Sequence, residues 1–315
     1  MPLPPSVLLR LAMVLLLSCI GCTILMPLLG QQLPRGTGEL AFAANLDGDL
    51  DIYRMDVDRG LLRAITFDDA SDFQPTWSPD GQQMVFVSDR SGHYELYKMN
   101  ADGTDVQRLT TGPTHVYGPA WSPDGRSIVY VADQLGYGFS HLMRLDIDGG
   151  RPIMITPGDA TDISPIWSPD GEHIVFVSDR DQTAEFNIYI MNKDGSDIRV
   201  LEATPGDDLT PAWSPDGRYL IYSSDFSNMA IFLADLETGK VVPLFTNNFI
   251  GYDTPNWSPD GRYISYTAAD SSRQAFNVIY LLDATCVSQP ETCPGTVRRL
   301  SSTNAIFLNP RWKPG

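Results

Sequence analysis

The sequence predicts an all-β fold, a closed ring of six four-stranded blades. Three observations carry this. The pentapeptide WSPDG occurs five times, starting at Trp77, Trp121, Trp167, Trp213 and Trp257, and a near-copy, RWKPG, fills 311–315. From Trp77 to Trp312 the successive tryptophan spacings are 44, 46, 46, 44 and 55 residues. Periods of this size with strand-like content predict the blades of a β-propeller. The two ends of the repeat region also complement each other, each holding the part of a unit that the other lacks.

One unit justifies the strands. QPTWS (74–78) is a short strand, called A, and SPDG is its hairpin turn. Proline suits the second turn position, aspartate the third, and glycine the left-handed geometry that closes the hairpin. QMVFVSD (83–89) is strand B, YELYKMN (94–100) is strand C, ADG (101–103) makes a turn, and VQRLT (106–110) is strand D. The tryptophan of each A strand supplies a large flat surface to pack on the neighbouring blade. At the start, ELAFAAN (39–45), DIYRMD (51–56) and LLRAIT (61–66) match B, C and D with no A before them. At the other end NPRWKPG (309–315) matches an A strand. It keeps Trp312 but drops the turn's serine and aspartate, as a strand with no hairpin to make would do. The C-terminal strand is therefore expected to complete the N-terminal blade, giving a six-bladed β-propeller over 33–315 with short, protected edges.

Residues 1–32 are expected to be a separate leader and short linker. Residues 11–30 carry no charge and follow Arg10, a stretch long enough to span a bilayer as a helix. Three readings compete: a cleaved signal peptide, a lipoprotein leader with Gly21 before Cys22 in SCIGC, and an uncleaved membrane anchor. All three export the rest of the chain. In an oxidising compartment Cys286 and Cys293, within TCVSQPETCPG, would form a local disulfide contributing about 2–3 kcal/mol, the alternative being two free thiols. Their spacing is not that of a zinc site.

Composition narrows the partners. With 22 basic and 39 acidic residues the net charge is −17, which argues against a nucleic-acid backbone as partner. It suits a soluble, self-repelling, monomeric ring, or one that attracts cations or basic peptides. The 26 glycines and 24 prolines are not gathered into a linker, so they read as turn residues.

Strand order places the D–A and B–C loops on one face and the A–B and C–D turns on the other. The D–A loops are acidic, and Asp72, Asp162, Asp208 and Asp253 are expected near the inner strands, where they could ring the channel mouth. They would then trap a cation or dock a basic peptide; the alternative is a solvated face whose aspartates cap their own turns. His93, His115 and His141 fall towards the same face, with Tyr117 and Tyr137 nearby. A metal or proton-transfer site there competes with ordinary surface histidines. DGDLD (47–51) resembles part of a calcium loop but lacks the downstream glutamate of the twelve-residue frame, so no cofactor is expected and Ca2+ stays an alternative.

The pattern P-x-W-S-P-D-G, followed by apolar strand B ending S-D-R and by I-Y-x-M-N-x-D-G, resembles the TolB-type WSPDG repeat over 39–315. That resemblance implies a propeller that holds a protein or peptide partner of the bacterial cell envelope at its loop face or channel mouth. It also points to prolyl oligopeptidase-type propellers, which carry a hydrolase domain; neither that domain nor the α/β domain of TolB is expected here. No G-x-S-x-G, H-E-x-x-H, C-x-x-C or phosphate-cradling loop occurs. The expectation is an exported, membrane-tethered binding module without catalysis. The alternatives are a propeller lyase or hydrolase using His115 and Tyr117 as acid/base groups, and a structural scaffold.

Overall fold

The computed structural model describes residues 23–25 and 38–315, apart from 47, 134–137, 182–184, 203, 226–229, 246–249, 271–274, 289–296 and 302–304. Blade 1 holds β1 (Thr23–Leu25), β2 (Glu39–Ala44), β3 (Asp51–Asp56) and β4 (Leu61–Ala64). Blade 2 follows with β5 (Asp72–Trp77), β6 (Gln83–Ser88), β7 (Glu95–Asn100) and β8 (Gln107–Arg108). Blade 3 comprises β9 (Val116–Trp121), β10 (Ser127–Asp133), β11 (Ser140–Asp146) and β12 (Ile153–Met154). Blade 4 comprises β13 (Asp162–Trp167), β14 (His173–Ser178), β15 (Asn187–Asn192) and β16 (Arg199–Glu202). Blade 5 runs through β17 (Asp208–Trp213), β18 (Tyr219–Ser224), β19 (Ala230–Asp235) and β20 (Lys240–Phe245). Blade 6 runs through β21 (Ile250–Trp257), β22 (Tyr263–Asp270), β23 (Ala275–Asp283) and β24 (Val297–Arg299). The last strand, β25 (Phe307–Trp312), returns to blade 1 and pairs antiparallel with β2, Leu40 opposite Trp312 and Ala44 opposite Phe307. The expected six-bladed propeller closed by its C-terminal strand is the fold observed.

Two local features go beyond the expected strands. Thr23–Leu25, inside the apolar run 11–30, is a strand on the outer edge of blade 1, paired with β4. Among the described residues no helix is long and apolar enough to cross a membrane. Cys22, Tyr137 and Cys293 lie outside the described residues; Cys286 sits in a 3-10 turn (Ala284–Ser288), and the expected disulfide therefore also lies outside them.

Each SPDG turn is built by its own side chains. In blade 4, Ser168 Oγ donates to Asp170 Oδ1 (2.5 Å) and accepts from the His173 amide (2.9 Å), while Asp170 Oδ1 accepts from the Glu172 amide (3.0 Å). The same set recurs at Ser78/Asp80, Ser122/Asp124, Ser214/Asp216 and Ser258/Asp260. These bonds favour the charged carboxylate and hold Asp80, Asp124, Asp170 and Asp216 below the usual carboxylate range.

The core is a set of interfaces between neighbouring blades. Strand B is buried on both faces, so its residues alternate between partners. Met84 and Phe86 pack with Ala41, Ala43 and Ile52 of blade 1, whereas Val85 and Val87 pack with Val116, Ile128 and Tyr130 of blade 3. That is why MVFV reads as a continuous apolar run. Each tryptophan joins the cluster shared with the preceding blade: Trp77, Trp121, Trp257 and Trp312 are buried, Trp167 and Trp213 half-buried against theirs. Trp77 Nε1 donates to Arg311 O and Trp167 Nε1 to Ala120 O, both at 3.2 Å.

Candidate functional site: the channel and its loop face

The inner strands share a device that shapes the channel. In every A strand the residue before the proline takes a left-handed conformation: Gln74 (φ 51°), Gly118 (55°), Ser164 (52°), Thr210 (48°), Thr254 (49°) and Asn309 (51°). At each of these points the A–B register slips, two inner-strand residues facing one on strand B, for example between Phe73 and Thr76. This is a β-bulge. The proline lacks an N–H and is tolerated because strand A is the edge facing the channel. For β-branched Thr210 and Thr254 the conformation stores strain of order 1–3 kcal/mol. The six bulges line a central cavity of about 240 Å3.

Among the described residues, Asp253 and Arg311 are the charged ones lining that cavity. Asp253 accepts from the Thr254 amide (2.7 Å) and from Thr210 Oγ1 (3.2 Å). Burial raises its carboxyl above the usual value, and nearby Arg311 opposes the shift. Burial pulls the Arg311 guanidinium down, opposed by Asp253. With the Asn256 amide turned so that its oxygen accepts, Arg311 Nη1 donates to it over 2.7 Å.

The other three aspartates of the expected ring do something different. Asp72, Asp162 and Asp208 are wholly buried and open their A strands beside the B–C corner. Asp72 accepts two bonds from Arg90 Nη2 (3.0 and 2.8 Å), and Arg90 lies over the rings of Phe86 and Tyr97. Asp162 accepts from Arg180 Nη2 (2.7 Å) in the equivalent arrangement. Asp208 accepts from the Thr204 amide (2.9 Å) and hydroxyl. Burial raises the carboxyls of Asp72 and Asp208, against their hydrogen bonds. These acids pin strand A to its own blade. Asp253 differs because it stands one place further along: DLTP (208–211) aligns with YDTP (252–255), so Asp253 takes the position of Leu209.

The structure brings His93, His115 and Tyr117 together and separates His141 from them. His93 and His115 have ring centroids 5.5 Å apart; Tyr94 lies 5.2 Å from His115 and 5.5 Å from Tyr117, and Phe73 closes against Tyr94 at 5.2 Å. The patch spans blades 2 and 3 on the loop face, and Tyr117 adjoins Gly118 of the channel ring. His115 Nδ1 accepts from the Tyr94 amide (3.1 Å), which places the neutral ring's proton on Nε2 and makes Nε2 a donor. Burial raises the Tyr117 phenol, helped by Asp133, and raises the Asp133 carboxyl, opposed by His115. His141 is buried on β11 with Nδ1 4.0 Å from Asp162 Oδ2. Among the described residues no group of three or more His, Cys, Asp or Glu is placed to hold a metal ion. In DGDLD, Asp51 accepts from Thr66 Oγ1 (2.9 Å), so it ties β3 to the segment after β4.

Sequence reasoning missed Arg311 and the bulge ring. Aligned inner strands carry the signal: Arg311 occupies the position of Thr76, Ala120, Ile166, Ala212 and Asn256, a single charge in an otherwise neutral column.

The comparisons agree with this architecture. The TolB beta propeller domain family matches residues 33–160 and 159–286, so the chain belongs to that family. A TolB crystal structure from Acinetobacter baumannii is similar at 18% identity and a TM-score of 0.73, covering 88% of this chain and 67% of that one. Kuenenia stuttgartiensis hydrazine synthase is similar at 16% identity and 0.72, covering 88% of this chain and 46% of that one. An oligogalacturonate lyase in complex with manganese is similar at 20% identity and 0.60, covering 84% and 74%. At such identities the likeness establishes the fold alone. No curated protein sequence matches the chain.

Proposed function

We propose that this chain is an exported binding module of the bacterial cell envelope, without catalysis, that docks a protein or peptide partner on its loop face beside the channel mouth. The observation carrying this is the half-exposed cluster of Phe73, Tyr94, His115 and Tyr117 next to the channel, with exposed His93 at its edge. Rigid aromatic rings with polar tips are the side chains that dominate binding energy at protein interfaces. Membership of the TolB propeller family supports the same reading. With Asp72, Asp162 and Asp208 engaged internally and Asp68 paired with Arg90 (3.1 Å), the acidic contribution to the dock comes from Asp253 and from exposed loop acids such as Asp69. The segment ahead of Thr23 serves as export leader and membrane tether, and the ring takes in β1 (Thr23–Leu25) together with 33–315.

Partner capture from a membrane extract tests the dock. Tyr117→Ala is expected to lower recovery of the co-purifying partner about tenfold or more, the usual loss at a binding hot spot. Lys193→Ala, in an exposed turn on the opposite face, is expected to leave it unchanged. Equal recovery from both variants overturns the assignment of the face. Intact mass of the extracted protein tests the tether: a soluble product trimmed after the apolar run overturns it.

A further inference from the structure

The central cavity pairs its acid and its base in an unusual way. Asp253 and Arg311 come from adjacent inner strands, β21 and β25, yet no direct ion pair within 4.0 Å joins them among the described contacts. Their hydrogen bonds go elsewhere, to Thr254 and Thr210 on one side and to Asn256 on the other. A guanidinium has five donors in a fixed fork suited to a carboxylate, and the contacts named use one. Ser164, on β13 across the ring, and Asn309, two residues before Arg311 on β25, line the cavity as neutral polar residues with no side-chain hydrogen bond among the described contacts.

We infer that the channel is a binding site for a small zwitterion of α-amino-acid chemistry, its carboxylate on Arg311 and its ammonium on the Asp253 carboxylate. Charge balance selects this class. Among the described lining residues the charges are one acid and one base, so a simple anion on Arg311 would lie beside Asp253, and a simple cation on Asp253 beside Arg311, each with a like charge close by. A ligand with both charges close together satisfies both groups at once. Ser164 and Asn309 then face the ligand's side chain, and a cavity of about 240 Å3 accommodates a small one. Burial acts against the charged form of both Asp253 and Arg311 and each offsets this in the other, so both gain further from a ligand that brings an opposite charge to each. The inference shares Asp253 with the proposed dock but does not rest on it, because it concerns the free ring.

Calorimetric titration of the full chain with glycine, L-alanine and L-serine tests it, with acetate and methylammonium as single-charge probes. Saturable binding of at least one amino acid is expected, tenfold or more tighter than either probe. Arg311→Gln and Asp253→Asn should each weaken that binding tenfold or more, a factor that corresponds to about 1.4 kcal/mol. No binding of any of the three amino acids up to about 10 mM, well above the millimolar Kd that corresponds to weak association, would overturn the inference. So would acetate or methylammonium binding as tightly as the amino acids. The wild-type comparison decides the matter even if a variant fails to fold, and partner capture on the loop face is read separately.

Discussion

Removing residues 309–315 opens the ring, and the structure sets the size of the effect. The cut takes Trp312, 6% exposed, out of a cluster with Leu40, Phe42, Tyr263 and Leu281. Truncating a buried aromatic of this size costs about 3–5 kcal/mol. It also removes the pairing of Leu40 with Trp312 and of Ala41 with Arg311, the bond from the Lys313 amide to Glu39 O (2.8 Å) and the bond from Trp77 Nε1 to Arg311 O. At roughly 1 kcal/mol net for each of these two bonds, the loss comes to about 5–7 kcal/mol. That is comparable with the whole stability of an ordinary domain, about 5–15 kcal/mol. A domain this large shifts by about 2 °C per kcal/mol, so Tm should fall by about 10–14 °C. Differential scanning calorimetry measures this, and limited proteolysis should show β2 and β3 cleaved first. A truncated chain melting within about 2 °C of the intact one, with the same calorimetric enthalpy, would refute closure by β25 as a stabilising element.

Two further outcomes follow from particular residues. Gly171 and Gly195 both have positive φ, but a Cβ at Gly171 would lie 3.8 Å from Pro123, an ordinary contact, whereas at Gly195 it would lie 2.4 Å from Ile155 O. Gly171→Ala should cost only the left-handed backbone term of about 1–2 kcal/mol, and Gly195→Ala at least twice that in a denaturant melt; equal losses would mean that the Ile155 contact is not there. The raised carboxyl of Asp253 makes a pH prediction. The folded chain holds that proton more tightly than the unfolded one, so the contribution is full below the ordinary value of 3.8 and is lost as pH rises through the raised one. The Tm of wild type minus that of Asp253→Asn should therefore decrease from about pH 4 to about pH 7, and an increase over that range would contradict the buried placement of Asp253.

Much of the fold was legible because the repeat is local chemistry. Serine, proline, aspartate and glycine in WSPDG make the turn with bonds spanning two to five residues. Its presence therefore marks each hairpin without knowledge of the rest. The candidate site was legible only in part. The D–A loops and the His115–Tyr117 pair were found, since they lie where the strand order must put them. The roles of the four aspartates were not separable, because Asp72, Asp162 and Asp208 differ from Asp253 by one residue of register, and one residue decides which way a strand side chain points. Arg311 was passed over because Asp253, the acid with which it shares the cavity, lies on another blade.

The amino-acid sequence by itself determined the number of blades, the order of strands, the hairpin chemistry and the closing role of the Trp312 segment, since each follows from short-range periodicity and complementary ends. Only the tertiary structure decided which charges face the channel. That outcome depends on six left-handed bulges turning the inner strands and on closure bringing β25 beside β21, and side chains 58 positions apart in the chain, Asp253 and Arg311, can share a cavity only once the ring is shut.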